Sequence, residues 1–200
     1  MLGGIGMDWY YWISHKALKV ICKIILRNKV SGVENIPQTG PLIVVANHVS
    51  NLDPPVLGVA INREIHYMAK AELFENFFIE KIMRTYGAFP VERGRPDTKA
   101  IRKALSLIKE EKVLGIFPEG TRHKDGKLGR AKLGPVLLAT RSKAPLLPVG
   151  LKTRHPIKEG TEVCFGEPFT LDDYYDRKLE RSEMREAGEI IMNKIGSLLD

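Results

Sequence analysis

Residues 41–54 read Pro41-Leu42-Ile43-Val44-Val45-Ala46-Asn47-His48-Val49-Ser50-Asn51-Leu52-Asp53-Pro54. The start of this stretch, through Ala46, is a short apolar run, the pattern of a strand covered on both faces. A polar loop follows. It ends at Asp53-Pro54-Pro55, which opens a helix through Ala60 with its prolines in the first turn, where a missing N–H is tolerated. The same alternation continues outward. Ile65–Ala69 reads as a strand, Phe74–Tyr86 as a helix and Ala88–Val91 as a short strand. Asp97 caps a helix running to about Glu110, with Ile101, Ala104, Leu105 and Ile108 at helical spacing. Val113–Phe117 is a second buried strand. Leu133–Ser142 reads as a helix, Leu146–Leu151 and Val163–Phe165 as strands, and residues 172–198 as a long charged helix. Strand and helix alternating at this spacing predict an α/β fold: a single domain with a central, mostly parallel sheet flanked by helices.

Composition bounds the rest. A chain of 200 residues is long enough for one core without staples. With 44% hydrophobic and 28% charged residues, disorder and fibrous classes are excluded. Cys22 and Cys164 are too few for a disulfide scaffold or a multi-thiolate zinc site. The net charge of +7 points to an anionic partner: nucleic acid, an anionic membrane surface or a phosphorylated ligand. Basic residues are not interleaved with aromatics on one strand face, so no nucleic-acid partner is expected. No signal peptide is expected. The longest uncharged run, Asn35–Leu52, contains two prolines and a glycine, so no membrane-spanning helix is expected either.

Residues 8–29 read as one amphipathic helix. Lys16, Lys19, Lys23 and Arg27, with His15, form a basic stripe, and Trp9-Tyr10-Tyr11-Trp12 opens a wide apolar sector. The segment suits docking on the protein core, or lying in a membrane surface with tryptophan at the boundary; the second reading is preferred.

Ligands of open α/β sheets gather beyond the carboxyl ends of the strands. There the sequence offers Asn47 to Pro54, then Glu92-Arg93-Gly94-Arg95, then Pro118-Glu119-Gly120-Thr121-Arg122. A carboxylate on one nitrogen of His48 would fix its tautomer and leave the other nitrogen as a base, which suits deprotonation of a hydroxyl. The alternative is that Asp53 only caps the helix. Gly120 allows a backbone to approach a ligand closely, and Arg122 can hold a phosphate in two hydrogen bonds. No serine is flanked as Gly-x-Ser-x-Gly, so no nucleophile elbow is present. Gly120 and Gly126-Lys127-Leu128 depart from a P-loop in spacing and in the final residue. The apolar residues Leu73, Phe74, Phe77, Phe78 and Ile82 fit an acyl-chain tunnel and plain core equally well.

Taken together, these segments resemble the glycerolipid acyltransferase family, specifically the 1-acylglycerol-3-phosphate (lysophosphatidate) acyltransferases. The first family block, Asn-His-x-x-x-x-Asp, matches Asn47, His48 and Asp53. The second matches Gly87 to Arg93, the third is complete at Phe117-Pro118-Glu119-Gly120-Thr121-Arg122, and the fourth matches Pro145 to Val149. The order and spacing hold over about residues 30–170, with His123 standing where serine is common. The resemblance implies that His48 is the general base and Asp53 its orienting partner. It places the acceptor phosphate on Arg122, with Arg93 and Lys70 assisting, while Glu119, Gly120 and Thr121 form the acceptor site. It implies acyl-CoA or acyl-carrier protein as donor, no metal and no cofactor. The corresponding division is a membrane-docking segment at 1–29 and a catalytic domain at 30–200, working peripherally on the cytoplasmic face of the cell membrane. Other acceptors within the family, such as glycerol 3-phosphate or another lysophospholipid, remain open. So does a non-catalytic lipid-binding protein, although neither His48 nor Asp53 is lost. A metal-dependent phosphohydrolase would need further ligands, for which Glu119 is the one obvious candidate. Oligomeric state is not legible.

Overall fold

The computed structural model describes residues 29–92, 94, 97–123, 125–153 and 160–200. The N-terminal helix expected over 8–29 lies outside these residues except for Lys29, and so does Arg93. Seven strands form one sheet: β1 (Lys29–Ser31), β2 (Leu42–Ala46), β3 (Ile65–Lys70), β4 (Phe89–Val91), β5 (Val113–Ile116), β6 (Leu146–Thr153) and β7 (Thr161–Phe165). Their order is β1-β7-β6-β2-β5-β3-β4. The five strands from β6 to β4 are parallel, β7 runs antiparallel to β6, and β1 pairs parallel with β7. This is the mostly parallel α/β sheet that the alternation predicts.

β2 shows why. All five of its residues are buried. Ile43 and Val45 enter one core and Leu42, Val44 and Ala46 the other, because successive side chains leave opposite faces of a strand. The first core is covered by α3 (Thr98–Lys109), α4 (Leu133–Ser142) and α5 (Arg181–Gly196), through residues such as Ala104, Leu138 and Ile191. The second lies under α1 (Asp53–Ala60), through Val56, Leu57 and Val59. The fifth helix, α2 (Phe77–Thr85), buries no residue fully and meets the second core only through partly buried Met83.

Several expectations are corrected. Lys29 opens β1 rather than closing a helix; β1 is three exposed residues long and carries no hydrophobic pattern. The helix expected over 74–86 is two elements, a 3-10 turn at Ala71–Phe74 and then α2. Asn76 separates them because its side chain accepts the N–H groups of Phe78 and Ile79, at 3.0 and 3.2 Å. The helix expected over 172–198 begins only at Arg181. Buried Leu171 and Tyr174 hold the preceding segment in the core. Asp176 then takes a left-handed φ of 57°, which no helix propagates. α5 starts afresh at a capping box in which Glu180 and Glu183 satisfy each other's backbone N–H groups. Finally, the apolar stripe divides: Phe74 packs partly against the second core, while Leu73, Phe77, Phe78 and Ile82 are exposed, so plain core does not account for the stripe as a whole.

Asp97 caps α3 as expected. Its carboxylate accepts the Glu92 and Ala100 N–H groups, each at 2.9 Å, and these bonds hold its pKa below the usual carboxylate value. An Asp97→Ala variant should lose about 1 kcal/mol of stability at neutral pH. A carboxyl whose pKa is lowered on folding stabilises above its unfolded value, about 3.9, and loses that contribution as pH falls. Melts of both proteins at neutral pH and at pH below the folded pKa check this: the difference should shrink in acid.

Candidate active site

β2 ends at Ala46, and Asn47 fastens the next turn. Its side-chain amide exchanges two hydrogen bonds with the backbone of Leu151 on β6, donating to the carbonyl at 2.9 Å and accepting the N–H at 2.7 Å. Because Asn47 is buried and doubly bonded, the chain beyond it leaves the sheet in a fixed direction. His48 follows.

The Asp53 side chain turns back over this loop. A single oxygen, Oδ2, accepts the Val49 and Ser50 N–H groups at 2.7 Å each and lies 2.8 Å from His48 Nδ1. Leu52 is the capping residue of α1 and makes no side-chain cap, so Asp53 is not acting as the simple N-cap that was the alternative reading. Asp53 is nearly inaccessible and the His48 side chain is 12% exposed. An oxygen that accepts two backbone donors takes the proton of Nδ1 as a third. The neutral imidazole therefore keeps Nε2 as its lone-pair nitrogen. The His48 ring stacks on Phe117, with centroids 4.1 Å apart at 22°, and Phe117 in turn stacks on Tyr67 at 6.3 Å. Tyr67 is anchored by a 2.9 Å bond from its hydroxyl to the Pro54 carbonyl. Ring packing and the carboxylate thus fix the imidazole plane from two sides.

Glu119 is the second anchor. It is buried, with Oε1 accepting the His48 backbone N–H at 3.0 Å. Oε2 accepts the Gly129 N–H at 2.9 Å and lies 3.3 Å from His123 Nε2. The His123 N–H returns to the His48 carbonyl at 2.8 Å. Gly129 is needed here, since a Cβ would stand 2.5 Å from His123 Nε2 and 3.0 Å from Glu119 Oε2. Gly120 turns the chain with φ +68°, directing Thr121 and Arg122 outward, where both are exposed. The Arg122 guanidinium donates to the Asn51 side-chain oxygen, which sets it over the same loop that carries His48 and Asp53.

The structure therefore joins His48, Asp53, Glu119, Gly120, Thr121 and Arg122 through two loops. Lys70, at the carboxyl end of β3, shares their edge of the sheet but is paired with Glu72 at 2.8 Å. Three contributors escaped the motif reading: Phe117 as a stacking surface, Gly129 as the gap that admits Glu119, and His123 as its partner. The burial of Glu119 and the stacking of Phe117 depend on His48, about 70 residues away along the chain, which local pattern does not encode. Among the described residues no cluster of three His, Cys, Asp or Glu side chains is placed to hold a metal. The one extra candidate ligand, Glu119, has both oxygens turned to protein donors.

The acyltransferase family pattern matches residues 27–152, the span holding all of these side chains. The chain belongs to the acyltransferase family. The 1-acyl-sn-glycerol-3-phosphate acyltransferase of Bacillus subtilis is 35% identical over 170 residues, covering 82% of this acyltransferase and 84% of the relative. The enzyme of the same name from Streptococcus pneumoniae is 31% identical over 138 residues, 66% of this chain and 51% of its own. The crystal structure of the 1-acyl-sn-glycerophosphate (LPA) acyltransferase of Thermotoga maritima superposes with a TM-score of 0.72 at 25% identity, covering 98% of this chain and 84% of that one. In this acyltransferase the paired His48 and Asp53 come from one loop, and Arg122 from the other. No helix among the described residues is long and apolar enough to cross a membrane.

Proposed function

We propose that this acyltransferase moves a fatty acyl group from a thioester to the free hydroxyl of 1-acylglycerol 3-phosphate, giving phosphatidic acid for phospholipid biosynthesis. The observation that carries the reading is the junction of two loops. Arg122 donates to Asn51, a residue of the loop that carries His48, so a base nitrogen and a guanidinium stand on one bonded pair of loops, as an acceptor with a hydroxyl and a phosphate requires. His48 Nε2 takes the hydroxyl proton as the oxygen attacks the thioester carbonyl. The C–S bond then breaks, and the thiolate recovers a proton from the imidazolium. Asp53 keeps Nδ1 protonated throughout and balances the transient positive charge. No protein nucleophile is needed, because the thioester is already activated.

Arg122 has five N–H donors in a fixed fork, and Asn51 engages only part of them. An Arg122→Ala variant should lose about 10–100-fold in kcat/KM for a phosphate-bearing acceptor, the worth of a charge-assisted hydrogen bond. Most of the loss should fall on KM, and acceptors without a phosphate should be little affected. The donor reading is supported by a cleft of about 1080 Å³ between residues 126–133 and α5. It presents Lys127, Arg130, Lys132, Arg181 and Arg185 against Glu189 and Asp200, a net basic surface suited to the phosphates of coenzyme A or to an acidic carrier protein. Residues 1–29 serve as the membrane-docking segment of the proposal, at the cytoplasmic face of the membrane. Removing residues 1–27 should then weaken binding to anionic liposomes and remove its salt-sensitive part.

The acceptor is tested by offering 1-acylglycerol 3-phosphate, glycerol 3-phosphate and lysophosphatidylglycerol in parallel with one acyl thioester. The highest kcat/KM should belong to 1-acylglycerol 3-phosphate. A preference for either of the others replaces the substrate and leaves the chemistry of His48 in place.

A further inference from the structure

α2 is a helix of nine residues that buries none of them, yet it carries large apolar side chains. Phe77 is 70% exposed and Phe78 75%, and Ile79, Ile82 and the preceding Leu73 are exposed beside them. The two phenylalanine rings touch only edge to face, with centroids 5.6 Å apart. A contiguous exposed patch of this kind on a soluble face marks a contact surface.

Its charges say which kind. Between residues 70 and 85 there are three basic and three acidic side chains. Lys70 pairs with Glu72 and Arg84 with Glu80, each at 2.8 Å, and Arg84 also lies over the Phe74 ring at 5.6 Å from its centroid. The segment is electrically balanced, with aromatic and branched side chains projecting from it. That chemistry matches the uncharged acyl layer just beneath lipid headgroups better than it matches a charged partner. Position agrees. β3 is parallel to β5, and β5 to β2, so Lys70 ends β3 at the edge of the sheet where His48 and Arg122 stand, and α2 starts seven residues later. The described chain begins at Lys29 on β1, the outermost strand on the far side of the sheet from β3 and β4 but at the same carboxyl end of the parallel strands.

We propose that the exposed face of α2 is a lipid-docking surface that seats Phe77, Phe78 and Ile82 in the acyl layer of the membrane and holds the active-site edge against it. The inference rests on the reading of the acceptor as a membrane lipid. It adds a second contact, driven by apolar burial, to the basic N-terminal segment. The two differ in salt dependence: a basic stripe binds anionic lipid and is screened, whereas this face is not.

The test is sedimentation of the full chain with vesicles of phosphatidylcholine alone, at low and high salt and without substrates, so that its outcome is independent of which acceptor reacts. The wild type should bind and keep binding at high salt. Phe77→Ser/Phe78→Ser should weaken partition at least about tenfold with an unchanged melting temperature, since both rings leave water on docking. Phe77→Leu/Phe78→Leu should stay within about twofold of the wild type, and Ile82→Asn, on the same face, should show a smaller loss of its own. Wild-type partition by the serine and asparagine variants would overturn the proposal. Self-association that the serine pair abolishes while vesicle binding stays unchanged would also overturn it, and would assign the face to a second copy of the chain.

Discussion

Alanine at position 48 is expected to lower kcat/KM for acyl transfer by about 10²–10⁴-fold, the contribution of a positioned general base. The fold should survive. The backbone of residue 48 keeps its N–H on Glu119 and its carbonyl under the His123 N–H, and Asp53 keeps the Val49 and Ser50 donors. The loss should therefore fall on kcat with an unchanged melting temperature. The residual rate comes from binding and alignment of the two substrates, which the variant leaves in place. Steady-state kinetics beside a thermal melt decide the matter. A variant as active as the wild type would remove His48 from the chemistry, and a large drop in melting temperature would make its role structural.

Glu119→Ala should have the largest effect on stability. The substitution leaves the His48 and Gly129 N–H groups without their acceptor, deprives His123 of a partner and opens space beneath the site. Each orphaned buried donor costs about 1–3 kcal/mol, so a loss of roughly 3 kcal/mol or more is expected, with activity falling as the His48 loop loses its tether. Glu119→Gln keeps one acceptor oxygen but turns an NH₂ toward donors on its other side. Its loss should be intermediate. Chemical denaturation of the three proteins checks the ranking. Unchanged stability combined with a raised acceptor KM would show instead that the carboxylate reaches the substrate.

The decisive stretch was legible for physical reasons. A run such as Leu42–Ala46, apolar at every position, is stable only when both faces are covered, and prolines at 54 and 55 permit only the first turn of a helix. The spacing of His48 and Asp53 brought them together as one reading allowed. What stayed hidden depends on backbone states and distant contacts. Three exposed residues form β1 because β7 offers them an edge. Asn76 splits a hydrophobic segment by capping from within it, and Asp176 stops a charged helix by its left-handed φ. The family resemblance assigns Glu119 to the acceptor site but carries no sign of its burial, which arises because a histidine loop 71 residues earlier and a glycine 10 residues later supply its donors. The stripe from Leu73 to Ile82 fits core and an acyl tunnel equally in sequence, and only the fold shows that Phe74 leans on the second core while Phe77, Phe78 and Ile82 face outward.

With His48 working as a base, the acyl group passes directly from thioester to hydroxyl and never rests on the protein. The most direct measurement is a single turnover with an acyl-labelled thioester and enzyme in excess, quenched and resolved into protein and lipid fractions. No label should form on the protein in the absence of acceptor, and label should appear in phosphatidic acid once 1-acylglycerol 3-phosphate is added, at a rate that His48→Ala lowers by at least about 10². Label accumulating on the protein before acceptor is added, and then chased into lipid, would contradict it by making a side chain the nucleophile.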